Sequence, residues 1–444
     1  MKAIRNSLVA AVALASAGAL ATPLVQTVVG TPLGSHRVKF SYSVDAAAVM
    51  TVLFETNVAE GVWAPCDMKA LFGSAASPSV SGDMNCPVDA GPHEFKLELN
   101  GGIAAGVDAD AKFRARVTAH ALDDKPNYMA VELSAGENGL WRVRYYDSEA
   151  ELPGGVMDTA YRTTTMLFKK VYASGVTFTM GSFAEEQRSA NEASHRVTMD
   201  HNYYLAVFPM TQKQCSLMYG SEWKSNFPTD GDMRIRDRIY CETYQPYARG
   251  ASYYPDAPTD DSLLGKLRAM TGGTIDFDLP GEAQWEFACR AGTREVEWND
   301  GSAILAVDYR DYATDANLPG RYKNNQKDTT TEFNTDCDTD SGTPIAGTYP
   351  PNKWGFYDMH GGVEERCLDW SQDDISALNG AINCNGLMRL DGTADAKPTQ
   401  VVRGGAWSMT AQLCRTASRR YIAPGYTDDH QEVGMRVACR NGLK

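Results

Sequence analysis

Eight consecutive residues, Asp358-Met359-His360-Gly361-Gly362-Val363-Glu364-Glu365, set carboxylates on either side of a glycine turn. Calcium accepts carboxylate and carbonyl oxygens together at about 2.3–2.6 Å, so the side chains of Asp358 and Glu365 and the main-chain carbonyls of Gly361 and Val363 form a candidate calcium set. The alternative is a turn capped by Asp358 with Glu365 in solvent. Further along, Trp407, Met409, Arg420, Tyr421, Tyr426 and His430 are spread through an irregular stretch that runs to Gly434. Aromatic, guanidinium and imidazole side chains in loops suit a recognition surface. The same stretch holds a thiol, Cys414, a candidate nucleophile. The seven histidines are scattered and form no i, i+4 pair, so no iron or zinc site is expected and each is read as a surface or turn residue. Nothing resembles a nucleophile elbow, which argues against a hydrolase.

The N-terminus bears on what these groups can be. Lys2 and Arg5 precede an apolar run from Leu8 to Leu20 that ends in Ala19-Leu20-Ala21, a pattern that predicts an export signal over residues 1–21. The run is short for a bilayer crossing and no other long apolar stretch follows, so no transmembrane segment is expected. A secreted or periplasmic location follows from this reading. Ten cysteines in an exported chain are then read as disulfides, with Cys66 expected to pair with Cys86, and Cys367 a partner for Cys414. A bridged Cys414 is no nucleophile. The formal net charge of -14 lacks the basic footprint that nucleic acid or anionic lipid needs.

Two domains suit the length of 444 residues. Over residues 30–162, stretches such as Val38–Val44, His93–Leu99, Phe113–Val117 and Trp141–Tyr146 alternate apolar and polar side chains. Period two means strands with one wet face, and the turn clusters between them suggest an all-β sandwich of immunoglobulin or fibronectin type. From residue 163 to 444 the texture changes to Trp, Tyr, Gly and Asp with long loops. Two helices are predicted there, as scaffold. One starts at Thr211, whose hydroxyl with Gln214 three residues on forms a capping box; the other runs from Gly281 through Ala291 and stops at Gly292.

Five ordered segments carry a family likeness: Val176–Ser182, Met210–Gln214, Leu279–Ala288, Trp354–Glu365, and Arg403-Gly404-Gly405-Ala406-Trp407 leading to Gly434-Met435-Arg436. Together they resemble the formylglycine-generating enzyme family, the sulfatase-modifying factors. The resemblance implies a loop-rich α+β domain of C-type-lectin-like fold. It also implies calcium at Asp358, Gly361, Val363 and Glu365, and a second calcium set at Asn317, Leu318 and Asp338. The family's oxidases bind copper(I) through two cysteines after the Arg-Gly-Gly motif, as suits two thiolates and a soft ion. Here only Cys414 is a thiol, Met409 falls where the first cysteine is expected, and Ala406 replaces an active-site serine. Gly362 stands for an asparagine, and Glu364 and Arg366 for two tryptophans. The irregular stretch after Trp407 is similar to the variable regions of diversity-generating retroelement proteins, which display ligand-binding residues on this fold. The expected protein is therefore a secreted, calcium-stabilised, non-catalytic binder or adhesin of a protein or carbohydrate ligand. The alternative is a copper-dependent oxidase that converts a cysteine of a sulfatase polypeptide to formylglycine through Cys414.

Overall fold

The structure is a computed structural model; it describes residues 10–15, 23–34, 37–66, 80–98, 113–136, 139–182, 190–219, 231–239, 247–250, 256–293, 320–322, 342–371, 375, 379–382, 399–422 and 432–439. Contacts divide the chain after Lys170 into two compact units, the second being Val171–Asn441.

In the first unit, Phe40 and Tyr42 point inward two residues apart, as do Phe95 and Leu97, because alternate side chains of a strand face one side. Their strands, Arg37–Val44 and Gly91–Glu98, pair antiparallel, with Val25–Gly34 and Val80–Gly82 outside them. A second sheet is built on Ala48–Ala59, paired antiparallel with Phe113–His120 and Val62–Pro65, and Ala10–Ala15 runs parallel along Phe113–His120. The two sheets share one core, in which Phe40 stacks on Phe95 at 4.9 Å and meets Phe54 edge-on at 5.7 Å. Ala48 to Phe54 is buried on both faces, which explains why this strand reads as an apolar run broken only by Thr51.

The expected bridge between Cys66 and Cys86 is not formed; both are free thiols, half-buried. Geometry accounts for it. The Cys66 amide donates to the Phe54 carbonyl, whereas the Met50 amide donates to the Cys86 carbonyl. Anchors four residues apart on one strand lie roughly 13 Å apart at about 3.3 Å per residue, beyond the roughly 7 Å between Cα atoms that a disulfide tolerates. Burial raises the Cys66 thiol to about 12 and the Cys86 thiol to about 11. Labelling of the unfolded, unreduced protein with a thiol reagent should therefore modify both residues. Recovery of an intact Cys66–Cys86 peptide by mass spectrometry would refute this arrangement.

In the second unit the capping box at Thr211 is realised. The Gln214 amide donates to Thr211 Oγ1 at 3.3 Å, and the Thr211 amide donates to Gln214 Oε1 at 3.1 Å, starting the helix Gln212–Tyr219. The helix Glu282–Arg290 follows Gly281, whose amide donates to Gln284 Oε1 at 2.9 Å; it closes at Ala291 in the left-handed region. A third helix, Leu263–Met270, was not expected from the sequence; Ser262 caps it through the Gly265 amide at 3.0 Å. Trp285 and Ala288 pack into a core with Phe356, Met359, Val401 and Cys367. Over that core lies the sheet that positions the candidate site. Glu364–Trp370 pairs antiparallel with Gln400–Arg403 and parallel with Val433–Gly434, and Arg419–Ile422 adds antiparallel outside Gln400–Arg403.

Candidate functional site

Glu282 and Glu286 are one turn apart on their helix, so both carboxylates leave it on one face. That face is buried, and an unpaired charge there is costly. Arg419 donates to both oxygens of Glu282, at 2.7 and 2.6 Å. Arg403 donates to Glu286, and Arg290 does so at 2.9 Å. The Gly181 amide completes the Glu286 set at 2.8 Å. Burial alone raises the Glu286 carboxyl, but Arg290 and Arg403 outweigh it and hold the group below the usual carboxylate range. Arg415 likewise pairs with Glu192 at 2.8 Å. Charges from two of the segments that carry the family likeness, with an amide from a third, thus meet as structure rather than as chemistry.

Glu365 belongs to the same framework. Its carboxylate accepts from Arg436 at 2.7 and 2.9 Å and from Trp285 Nε1 at 2.6 Å. Arg436 also donates to the carbonyls of Ala206, Val207 and Tyr357 at 2.9, 2.9 and 2.7 Å. Asp358, in the left-handed region at φ 55°, accepts from the Gly347 amide at 2.6 Å. Gly361 pairs with Arg321 in a short parallel bridge, and Val363 is buried against Gly434. A calcium ion at Asp358, Gly361, Val363 and Glu365 would share the Glu365 carboxylate with Arg436 and Trp285. The positive charge facing Glu365 is the Arg436 guanidinium, and a divalent cation beside it would be repelled. Glu365 is also not in solvent, as the simple turn required. Asn317, Leu318 and Asp338 lie outside the described residues.

Cys414 is fully buried under the turn at Gly405, its Sγ 3.8 Å from the Ala406 carbonyl. It is a free thiol, as is Cys367, so the expected bridge between them is absent. The two sit in separate clusters, Cys367 in the core beneath the sheet and Cys414 with Tyr322, Ala406 and Met409. Burial, reinforced by the Glu364 carboxylate, pushes the Cys414 thiol far above its usual range. A protonated, enclosed thiol is a poor nucleophile. Met409, the position that substitutes for a cysteine, has its Sδ 3.2 Å from Arg420 Nη1.

Arg420 is the hinge of the exposed part of the site. Its guanidinium reaches Glu364 Oε1 at 3.1 Å and Glu432 Oε2 at 4.0 Å while remaining exposed. Ser408 Oγ donates to Glu432. Half-buried Trp407 packs beside Met409 on this side, while half-buried Tyr421 lies against the Trp285 and Phe287 core with Arg419 over its ring at 5.3 Å. The strand register accounts for the gathering: Val402 pairs with both Arg366 and Arg420, and Glu364 with Val433. Trp407, Met409 and Arg420 are thus brought together on one face, whereas Tyr421, the next residue of the strand, packs on the core of the opposite face; Tyr426 and His430 lie outside the described residues. Glu364, Glu432 and Ser408 were not singled out in the sequence as members. The available signal was Glu364 itself, a charge where the resemblance expects tryptophan. The Glu364 carboxyl is raised to about 7, first by burial and then by Glu432, against the opposing pull of Arg420. Nor are all the histidines at the surface: His120, His195 and His360 are buried.

Comparison with known proteins gives this geometry its setting. The model of the sulfatase-modifying factor enzyme 1-like domain matches residues 157–441. The chain is similar to a protein named serine/threonine-protein kinase pkn1 of Chlamydia caviae, 26% identical over 289 residues that cover 62% of this chain and 38% of that protein. It is also similar to the formylglycine-generating enzyme of Mus musculus, 25% identical over 257 residues, 51% of this chain and 63% of that one. Among solved structures, Treponema denticola variable protein 1 aligns with a TM-score of 0.44 at 18% identity, over 62% of this chain and 96% of that one. The chain spans less than two thirds of the length of these curated relatives. The mostly β, helix-poor second unit agrees with the lectin-like fold that the resemblance implied.

Proposed function

Because the chain belongs to the sulfatase-modifying factor enzyme 1-like family, we propose that it uses the family scaffold to hold a protein or carbohydrate ligand and not to oxidise a cysteine. The observation that carries this reading is the state of the two positions on which oxidase chemistry depends. Cys414 is enclosed and protonated, and Met409 is engaged by Arg420. What remains accessible is a face of Trp407, Ser408 and Arg420, the aromatic and guanidinium mixture on which binding hot spots are built. In this proposal the protein is secreted or periplasmic, and its first unit is an immunoglobulin- or fibronectin-like sandwich that serves as a spacer or adhesive module. Any calcium requirement is assigned to Asn317, Leu318 and Asp338, since Glu365 is committed to Arg436 and Trp285.

An array of glycans and candidate surface proteins, probed with the full chain, tests the face. Arg420→Ala and Trp407→Ala should each weaken a specific hit by roughly 10-fold or more, the scale of a hot-spot truncation. A hit that both variants keep at full strength would place the binding surface elsewhere.

A further inference from the structure

The buried pair Cys289 and His360 is used by neither the recognition face nor the ion-pair framework. Cys289 lies near the end of the helix Glu282–Arg290, and His360 precedes the Gly361 turn; they are 0% and 1% exposed. Their Sγ and Nε2 atoms face each other at 4.0 Å. The other ring nitrogen, Nδ1, lies 2.8 Å from the main-chain carbonyl of Cys414. A carbonyl only accepts, so Nδ1 carries a hydrogen, and in the neutral form of the ring the Nε2 lone pair is turned toward the sulfur. A histidine oriented in this way by a carbonyl on its far nitrogen is the arrangement in which imidazoles ligate metals. The Cys289 thiol also has Thr416 Oγ1 as an acceptor at 3.9 Å.

The span discriminates between ions. With metal–sulfur and metal–nitrogen bonds of about 2.3 and 2.0 Å, a tetrahedral angle separates S and N by roughly 3.5 Å, and opposed bonds by roughly 4.3 Å. The observed 4.0 Å is wide for a tetrahedral ion and suits an open, low-coordinate one. Among the described residues no group of three or more His, Cys, Asp or Glu gathers round a common point. Thiolate with imidazole is a donor set for soft ions.

We propose that Cys289 and His360 bind one soft monovalent d10 cation, copper(I) or silver(I), in a two-coordinate site distinct from Cys414. Binding exchanges the thiol proton of Cys289 for the ion and releases that proton to solvent, with no change of oxidation state. Because burial raises the Cys289 thiol to about 12, apparent affinity should rise about tenfold per pH unit through the neutral range.

The test is titration of the reduced full chain with copper(I) against bicinchoninate, followed by X-ray absorption on the sample holding the first equivalent. The expected result is one sulfur and one nitrogen neighbour, about one proton released per ion, and loss of this tightest site in Cys289→Ser and in His360→Phe but not in Cys414→Ser. A first shell of two sulfurs, or a tightest site kept by Cys289→Ser, would overturn the proposal. Should either core variant fail to fold, the wild-type absorption spectrum still decides between one sulfur and two.

Discussion

Glu286→Ala is expected to lower the unfolding free energy of the C-terminal unit by about 3–5 kcal/mol, the cost of leaving buried charges unpaired. Arg403 and Arg290, both inside the protein, would lose their shared carboxylate, and the Gly181 amide would lose its acceptor. Urea denaturation followed by tryptophan fluorescence measures this, since Trp285 is on the same helix. A loss below about 1 kcal/mol would mean that the network is dispensable. The pH dependence has a defined sign. Glu286 is held below the usual carboxylate value of 4.5, so its contribution is present above that value and is lost as pH falls through the lower folded value. Acid should therefore weaken the second unit on this account.

Glu364→Gln should act in the opposite direction. The Glu364 carboxyl is raised from 4.5 to about 7, so the folded state holds the proton more tightly than the unfolded state. Stability from this group is complete below 4.5, falls as pH rises toward 7, and stays low above it. At roughly 1.4 kcal/mol per pH unit across that interval, the variant should be about 3 kcal/mol more stable than the wild type at pH 8. Near pH 4 the two should match. A variant less stable than the wild type at pH 8 would show that the ion pair with Arg420 outweighs the burial of Glu364. Such a residue is retained for something other than stability, and its place beside Arg420 on the recognition face supplies a reason.

Local signals in the chain mapped onto local structure. Period-two stretches became the strands Arg37–Val44, Gly91–Glu98 and Trp141–Tyr146, and the Thr211 capping box started its helix. Ala48–Ala59 escaped because a strand buried on both faces has no alternation to read, and Leu263–Met270 because its signal is one serine before a short apolar turn. Motif order was legible too, but the roles of the charges within the motifs were not. Glu365 resembles a calcium ligand in sequence; only tertiary packing brings Arg436 and Trp285 to it from 71 and 80 residues away. The disulfides failed for a related reason. An even count of cysteines says nothing about Cα separation, and Cys66 and Cys86 attach to distant points of one strand. Glu364 and Arg420 could be named separately, yet their juxtaposition depends on the register of Glu364–Trp370, Gln400–Arg403 and Arg419–Ile422.

The enclosed state of Cys414 is the point on which the binding reading rests. It is tested most directly by oxygen consumption of the copper-loaded full chain in the presence of a sulfatase-derived peptide that contains the target cysteine. The account predicts no oxygen uptake and no formylglycine product above the level seen with Cys414→Ser. Sustained turnover by the wild type that Cys414→Ser abolishes would contradict it.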